Sequence, residues 1–175
     1  MNEKEAISLL VRSGCSAGVI EHCKTVAEHA RKIAIEINRC SEKKGKSTDI
    51  DIEAVFLGAL LHDIGRGKTH GIDHAVVGAA MAIEYGLDDT LVNIIERHIG
   101  AGITKNDAIL LGLPAKDYLP VTIEEKIVAH VDNLVFGERP GNIEEVISNL
   151  NEKKLDEKII KRFIDLNNEI NSMLC

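Results

Sequence analysis

The chain has 175 residues, 45% hydrophobic and 28% charged, which is room for one domain with a sizeable core and the composition of a soluble globular protein. Twenty-eight acidic against 21 basic residues leave a formal net charge of −7, and aromatics make up only 3%, with no Trp. That balance argues against a nucleic-acid polymer as partner, because phosphate backbones call for basic patches and single strands for aromatic stacking platforms. No apolar run approaches the ~20 residues that cross a bilayer, and the opening Met-Asn-Glu-Lys-Glu-Ala has no positive region followed by an apolar core. The expectation is a cytoplasmic protein without a membrane partner. Cys15, Cys23, Cys40 and Cys175 are scattered without close pairs, which predicts reduced thiols.

Ile7, Leu9, Leu10 and Val11 ahead of Gly14 predict a short opening helix over 3–13. A second helix is predicted over 19–38, with Cys23, Val26, Ala30, Ile33 and Ile37 as its stripe and His22 and His29 on one border. Those two histidines share a face but sit two turns, ~10.5 Å, apart, too far to bind one ion. The polar run 41–49, with Gly45 in its middle, reads as a surface loop with solvated lysines. A third helix is predicted over 51–63, where Ile52, Val55, Phe56, Ala59 and Leu60 mark one amphipathic face. Asp63 is the next member of that series, and a bare carboxylate in a buried stripe costs on the order of several kcal/mol unless paired. His62 beside it places an imidazole and a carboxylate within reach of one cation, with Gly65 and Gly67 set to end the helix through a left-handed turn. The competing reading is a core His beside an exposed capping Asp.

The loop 65–71 holds Arg66 and Lys68 among three glycines but lacks the spacing of a phosphate-binding P-loop. Asp73 is predicted to cap a fourth helix, with His74 in its first turn and its end near Gly86. A fifth spans 88–98 and carries Leu91, Ile94 and Ile95. The connection up to Pro120, with one short helix over 105–111, is long enough to be a lid. Thr122-Ile-Glu-Glu reads as a capping box in which Glu125 reaches back to Thr122, opening a helix to about Phe136. His130 and Asp132 border opposite sides of that helix's stripe, and periodicity does not decide which enters the core. Residues 142–175 read as two packing helices without clustered ligands, and neither strand signals nor repeats are visible.

The ordered set His22, His62-Asp63, His74, His98 and Asp132 resembles the HD superfamily of metal-dependent phosphohydrolases over residues 18–136. The most specific piece is Leu61-His62-Asp63-Ile64-Gly65. The pattern His74-Ala-Val-Val-Gly78-Ala79, the run Ile94 to His98, and Val128-Ala129-His130-Val131-Asp132-Asn133 complete it. The resemblance implies an all-α HD-domain helical bundle, one domain over 1–175 with its core at 18–136 and a C-terminal helical extension at 142–175. It also implies a first metal held by His22, His62, Asp63 and Asp132. Members with the two inserted histidines, the HD-class hydrolases of symmetrical diadenosine tetraphosphate and the HD-GYP cyclic-dinucleotide phosphodiesterases, hold two metals. By that similarity Asp63 bridges, and His74 and His98 bind the second ion. The chain lacks the Gly-Tyr-Pro signature, and has Arg66, with Lys68 two residues on, where those enzymes carry a Lys. The choice of His74 over His70 rests on the His-Ala-Val-Val-Gly pattern.

Imidazole plus carboxylate without thiolate suits Fe(II), Mn(II) or similar divalent ions. Two such ions ~3.5–4 Å apart generate hydroxide at neutral pH and neutralise phosphate oxygens, so an acidic protein can hydrolyse an acidic substrate. The expected activity is hydrolysis of a phosphoester or phosphoanhydride, of a nucleotide or dinucleotide, with Asp63, Arg66 and Lys68 as the catalytic set. Arg66 and Lys68 would add charge against the phosphate, the alternative being solvated loop cations. His29 reads as a helix-face residue, His70 as a loop residue near the substrate mouth, and His130 as a core histidine or an orienting partner of a ligand. Two other functions compete: a di-iron oxygenase of HD type, and a nucleotide-binding domain without turnover. A homo-oligomer is compatible with the sequence, which does not identify the substrate or the metal.

Overall fold

A helix apolar on one side can lie on a surface, whereas one apolar all round has to be enclosed. Helix α3 (Ile52–Leu61) is of the second kind: every residue from Val55 to Leu61 is buried, including Leu57 and Gly58, which lie off the predicted stripe. In the computed structural model, which describes residues 1–45 and 49–175, the other helices of the core are arranged around it. Helices α1 (Glu3–Arg12) and α2 (Ala17–Lys43) pack against α3, as do α5 (Asp89–Arg97) and α7 (Ile123–Leu134), while α4 (His74–Glu84) packs on α5. Two further helices, α8 (Ile143–Glu152) and α9 (Glu157–Met173), cover α7 from the C-terminal side. The fold is all-α, with one two-stranded sheet among the described residues, the antiparallel pair of β1 (Val135–Phe136) with β2 (Arg139–Pro140), a ribbon too short to register as a strand pattern.

Several boundaries differ from the sequence reading. Helix α2 continues through Ser41 to Lys43 because Cys40 and Ser41 are buried on its inner side; residues 46–48 of the predicted loop lie outside the described residues. Helix α3 stops at Leu61, and a 3₁₀ turn, Ile64–Gly67, follows it. Neither Gly65 nor Gly67 is left-handed. They are needed for close approach: a Cβ on Gly65 would collide with the His74 carbonyl, and one on Gly67 with the Ser13 carbonyl. Asp73 does not cap α4, since its carboxylate accepts from Thr69 Oγ1 at 2.9 Å instead. Thr122 does cap α7 through the Glu125 amide, but the Glu125 side chain reaches past the Thr122 amide to that of Val121 and to Arg97, so the box does not form.

The segment between α5 and α7 is a folded lobe with a core of its own. Helix α6 (Lys105–Leu110) is opened by a capping box between Thr104 and Asp107, and Ile103 pairs with Tyr118 across the base. Ile103, Ala108, Leu113 and Tyr118 form a small cluster seated on Val76 of α4 and on Ile99. Among the described residues no helix is long and apolar enough to cross a membrane.

The expectation of four reduced thiols fails at one pair. Cys40, at the end of α2, and Cys175, past the end of α9, form a disulfide with a sequence separation of 135, while Cys15 and Cys23 are free. Spacing gave no hint of it, because the two residues meet only when α9 returns along α2. Protein unfolded without reductant should show two titratable thiols and four after reduction. Removing a cross-link that closes a loop of this size should lower the unfolding free energy by up to about 4–5 kcal/mol on the chain-entropy model, measured on Cys40→Ser. Gly65→Ala should cost at least about 1–3 kcal/mol in denaturant unfolding, as overpacking against backbone does.

Candidate metal centre

Four helix ends and one helix interior supply the six sequence-selected residues, and the fold brings all six together. His22 comes from the second turn of α2, and His62 caps the C-terminal end of α3. Asp63 lies between that cap and the 3₁₀ turn, where the break in the helix lets two adjacent side chains face one point. His74 opens α4, His98 caps α5, and Asp132 lies in the last turn of α7.

Each imidazole is oriented by the same contact. His62 Nδ1 is 2.7 Å from the Ala59 carbonyl, His74 Nδ1 is 2.8 Å from that of Gly71, and His98 Nδ1 is 2.7 Å from that of Ile95. His22 Nδ1 is 2.7 Å from the carbonyl of Gly137, in the turn between β1 and β2. A carbonyl oxygen only accepts, so in each ring Nδ1 carries the proton and, in the neutral form, Nε2 presents a lone pair. All four Nε2 atoms point into one space.

The carboxylates divide that space. Asp132 Oδ1 lies 3.0 Å from His22 Nε2 and 3.4 Å from His62 Nε2. Asp63 Oδ2 faces His62 Nε2 at 3.8 Å, while its Oδ1 lies 3.1 Å from His74 Nε2 and 3.6 Å from His98 Nε2. His22, His62 and Asp132 form one potential ligand group and His62, Asp63 and His98 another, the ligand atoms of each lying within 4.8 Å of one another. His62 is common to both groups, and Asp63 turns Oδ2 toward it and Oδ1 toward His74 and His98.

Three features fit this cluster to divalent cations. His62 Nε2 is buried and has no hydrogen-bond partner despite facing two carboxylates. The Nε2 atoms of His74 and His98 approach to 3.1 Å, although both Nδ1 atoms already hold their protons against carbonyls, so two lone pairs would face each other without a positive charge between them. Finally, the donors are all nitrogen and carboxylate oxygen. Cys15 Sγ points at the carbonyls of Asp63 and Ile64, and burial, reinforced by Cys23, pushes its thiol up to about 11, so it supplies no thiolate.

The local electrostatics agree. Burial alone would raise Asp63 and Asp132, yet His62 and the other imidazoles hold both carboxyls well below the usual range. Burial disfavours a charge on His62, but Cys23, Asp132 and Asp63 overcome it and push that imidazole well above its ordinary value; burial, with His62 adding to it, pushes His98 down. Both carboxyls are thus held in the charged form, facing the imidazoles.

The remaining predicted residues occupy distinct places. Arg66 Nε lies 3.2 Å from Asp63 Oδ1, and its Nη1 donates to the His70 carbonyl at 3.0 Å. Lys68 is exposed, and so is His70, whose carbonyl receives that bond from Arg66. His130 is the core histidine of α7: it is buried, burial pushes its pKa down to about 4, and no hydrogen bond or ion pair joins it to the cluster. His29 lies half-buried outside the cluster. Sequence reasoning missed the Gly137 carbonyl that orients His22, because it sits in the unpredicted β-turn.

The HD domain family matches residues 19–137. The chain belongs to the HD domain family. It is 53% identical over 176 residues to the uncharacterized protein MJ0778 of Methanocaldococcus jannaschii, covering 99% of both chains. It is 45% identical over 156 residues to a tRNA (cytidine(56)-2'-O)-methyltransferase of Thermoplasma volcanium, a match that takes in 89% of this chain and only 43% of that protein. In fold it is similar to the HD domain of the L. monocytogenes phosphodiesterase PgpH in complex with cyclic-di-AMP, with TM-score 0.53, 16% identity, and 97% and 96% of the two chains covered. These findings agree with the HD assignment made from Leu61 to Gly65 and with the helical bundle it implied.

Manganese-loaded, desalted protein is expected to retain two ions per chain by elemental analysis. His98→Ala should retain one, and Asp63→Asn, which removes the charge shared between the two ligand groups, should hold neither firmly. Saturating metal at ~100 times its dissociation constant should stabilise the wild type by about 2.7 kcal/mol per site, read as a rise in Tm.

Proposed function

We propose that this HD protein is a divalent-metal-dependent phosphohydrolase that cleaves a phosphoester or phosphoanhydride of a nucleotide or dinucleotide. One observation carries the reading: four imidazole Nε2 atoms, each turned inward by a backbone carbonyl, converge on two carboxylates, with Asp63 facing His62 through Oδ2 and His74 through Oδ1. His22, His62, Asp63 and Asp132 would hold one ion, and Asp63, His74 and His98 a second, with iron or manganese favoured by the donor set. When bound, such ions lower the pKa of water to near neutrality and offset the charge of phosphate oxygens.

The chain's own residues do the rest. The Nδ1 bonds to carbonyls lock ring orientation and keep each Nε2 free to ligate. Burial of His62, His74 and His98 keeps bulk water from the ligand atoms. Arg66 fixes Asp63 through Nε, and its guanidinium with the exposed Lys68 provides the positive charge at the rim against which phosphate would seat. A protein with net charge −7 needs that local charge to accept an anion.

The cyclic-di-AMP complex of the fold neighbour makes cyclic dinucleotides the first substrates to try. The methyltransferase of Thermoplasma volcanium acts, by its name, on tRNA, and this chain spans under half of it. A short oligoribonucleotide therefore belongs in the screen, although the acidic surface argues against a long polymer. We take the protein to work in the cytoplasm.

The expected outcome is metal-dependent release of nucleotide or phosphate with Mn(II) under anaerobic conditions, from one of a panel of cyclic dinucleotides, dinucleoside polyphosphates, mononucleotides and short oligoribonucleotides. Arg66→Ala should lower kcat/KM by about 10–100-fold, the ~1.5–3 kcal/mol of a hydrogen bond to a charged group. Oxygen consumption with a mixed-valent iron signal, and no hydrolysis across the panel, would instead assign an HD-type oxygenase. Tight nucleotide binding without turnover would assign a binding domain.

A further inference from the structure

Glu125 is a buried carboxylate that the chemistry above does not use. Only 2% of it is exposed. Both of its oxygens accept from Arg97 Nη1 at 3.0 Å, and one also accepts from the Val121 amide at 2.6 Å. Three separate parts of the chain meet on this one group: the last residue of α5, the end of the lobe, and the first turn of α7.

Arg97 is the final helical residue of α5, so His98 is the first residue beyond the regular helix, where the helical pattern no longer sets its place and contacts with other elements do. Two residues later, the Gly100 carbonyl accepts from Asn133 Nδ2 at 2.9 Å. The corner that presents His98 is therefore fastened to α7 on both sides, by Glu125 before it and by Asn133 after it. Eight residues of helix, a rise of ~12 Å, separate the two fastenings, and α7 between them is packed into the core through Ile127, Val128 and Val131. Asn133 is also the neighbour of Asp132, which faces His22 and His62. One rigid helix thus carries a carboxylate of the first ligand group and both fastenings of a histidine of the second.

We propose that Glu125, Arg97 and Asn133 are positioning residues that set His98 against Asp63 and so create the second cation subsite. The first subsite does not depend on them, because His22 and His62 reach Asp132 from α2 and α3, which pack on α7 directly. This rests on the two-ion reading given above. An outer partner that orients a ligand changes metal affinity by about 10–100-fold when removed.

The test is Mn(II) binding to the full-length chain by titration calorimetry and by elemental analysis after desalting, with Tm measured alongside. Wild type should bind two ions. Glu125→Gln, which keeps the volume but leaves the Arg97 guanidinium unpaired, and Asn133→Ala should each keep the first ion at wild-type affinity and bind the second about 10–100-fold more weakly. Arg97→Lys, which preserves the cation, should restore most of the second-site affinity relative to Arg97→Gln. Glu125→Gln and Asn133→Ala both binding the second ion as wild type does would overturn the proposal, however far Tm falls. Should Glu125→Gln fail to fold, Asn133→Ala decides by the same criterion. A wild type that binds fewer than two ions overturns the two-ion reading itself, and this inference with it.

Discussion

Four hydrogen bonds from imidazole Nδ1 to backbone carbonyls hold the arrangement on which the rest of this protein depends. Three of them run to the carbonyl three residues earlier, at Ala59, Gly71 and Ile95, so the ring is aimed by the same stretch of chain that presents it. Such a bond settles two questions together, because it fixes where the ring points and which nitrogen carries the proton. Left without a cation, the result is a concentration of lone pairs and two carboxylates in a mostly buried space, a state that low dielectric makes costly. The same arrangement becomes favourable once positive charge is supplied.

Helix α3 makes this organisation affordable in structural terms. Being buried on every side, it carries His62 and Asp63 to the middle of the bundle, where α2, α5 and α7 can each bring a ligand from a different direction. The abrupt change from α-helix to 3₁₀ turn after Leu61 lets adjacent side chains converge, which a continuous helix, with its 100° step between neighbours, would prevent. Gly65 then allows the start of α4 to press against the turn, and this brings His74 within 3.1 Å of Asp63. The Asp and both glycines of that stretch serve geometry at separate points, which is why the short motif is so informative.

The lobe between α5 and α7 is tied to the same centre. Its small core rests on Val76, two residues from His74, and on Ile99, next to His98. Its far end is held by Glu125. A segment anchored in this way has a shape of its own, rather than being a loose loop. The disulfide between Cys40 and Cys175 holds the chain just past α9 to the end of α2.

The sequence by itself determined the helical class, the location of most helices and the order of the candidate ligands, because apolar periodicity and the His-Asp pair are local signals that survive without tertiary contacts. The HD resemblance ranked His74 above His70, and the fold turns His74 inward and leaves His70 exposed. What was not legible has one physical cause, a partner distant in sequence. Periodicity could not choose between His130 and Asp132, which differ only in what α7 faces across the bundle. The Glu125 side chain met Arg97 and the Val121 amide instead of the Thr122 amide that a capping box uses, because α5 ends beside it. Gly65 and Gly67 were needed for contacts with α4 and the end of α1, not for helix termination. Cys40 found Cys175 only through the return of α9. Tertiary structure alone decided these, since each depends on where a second segment comes to rest.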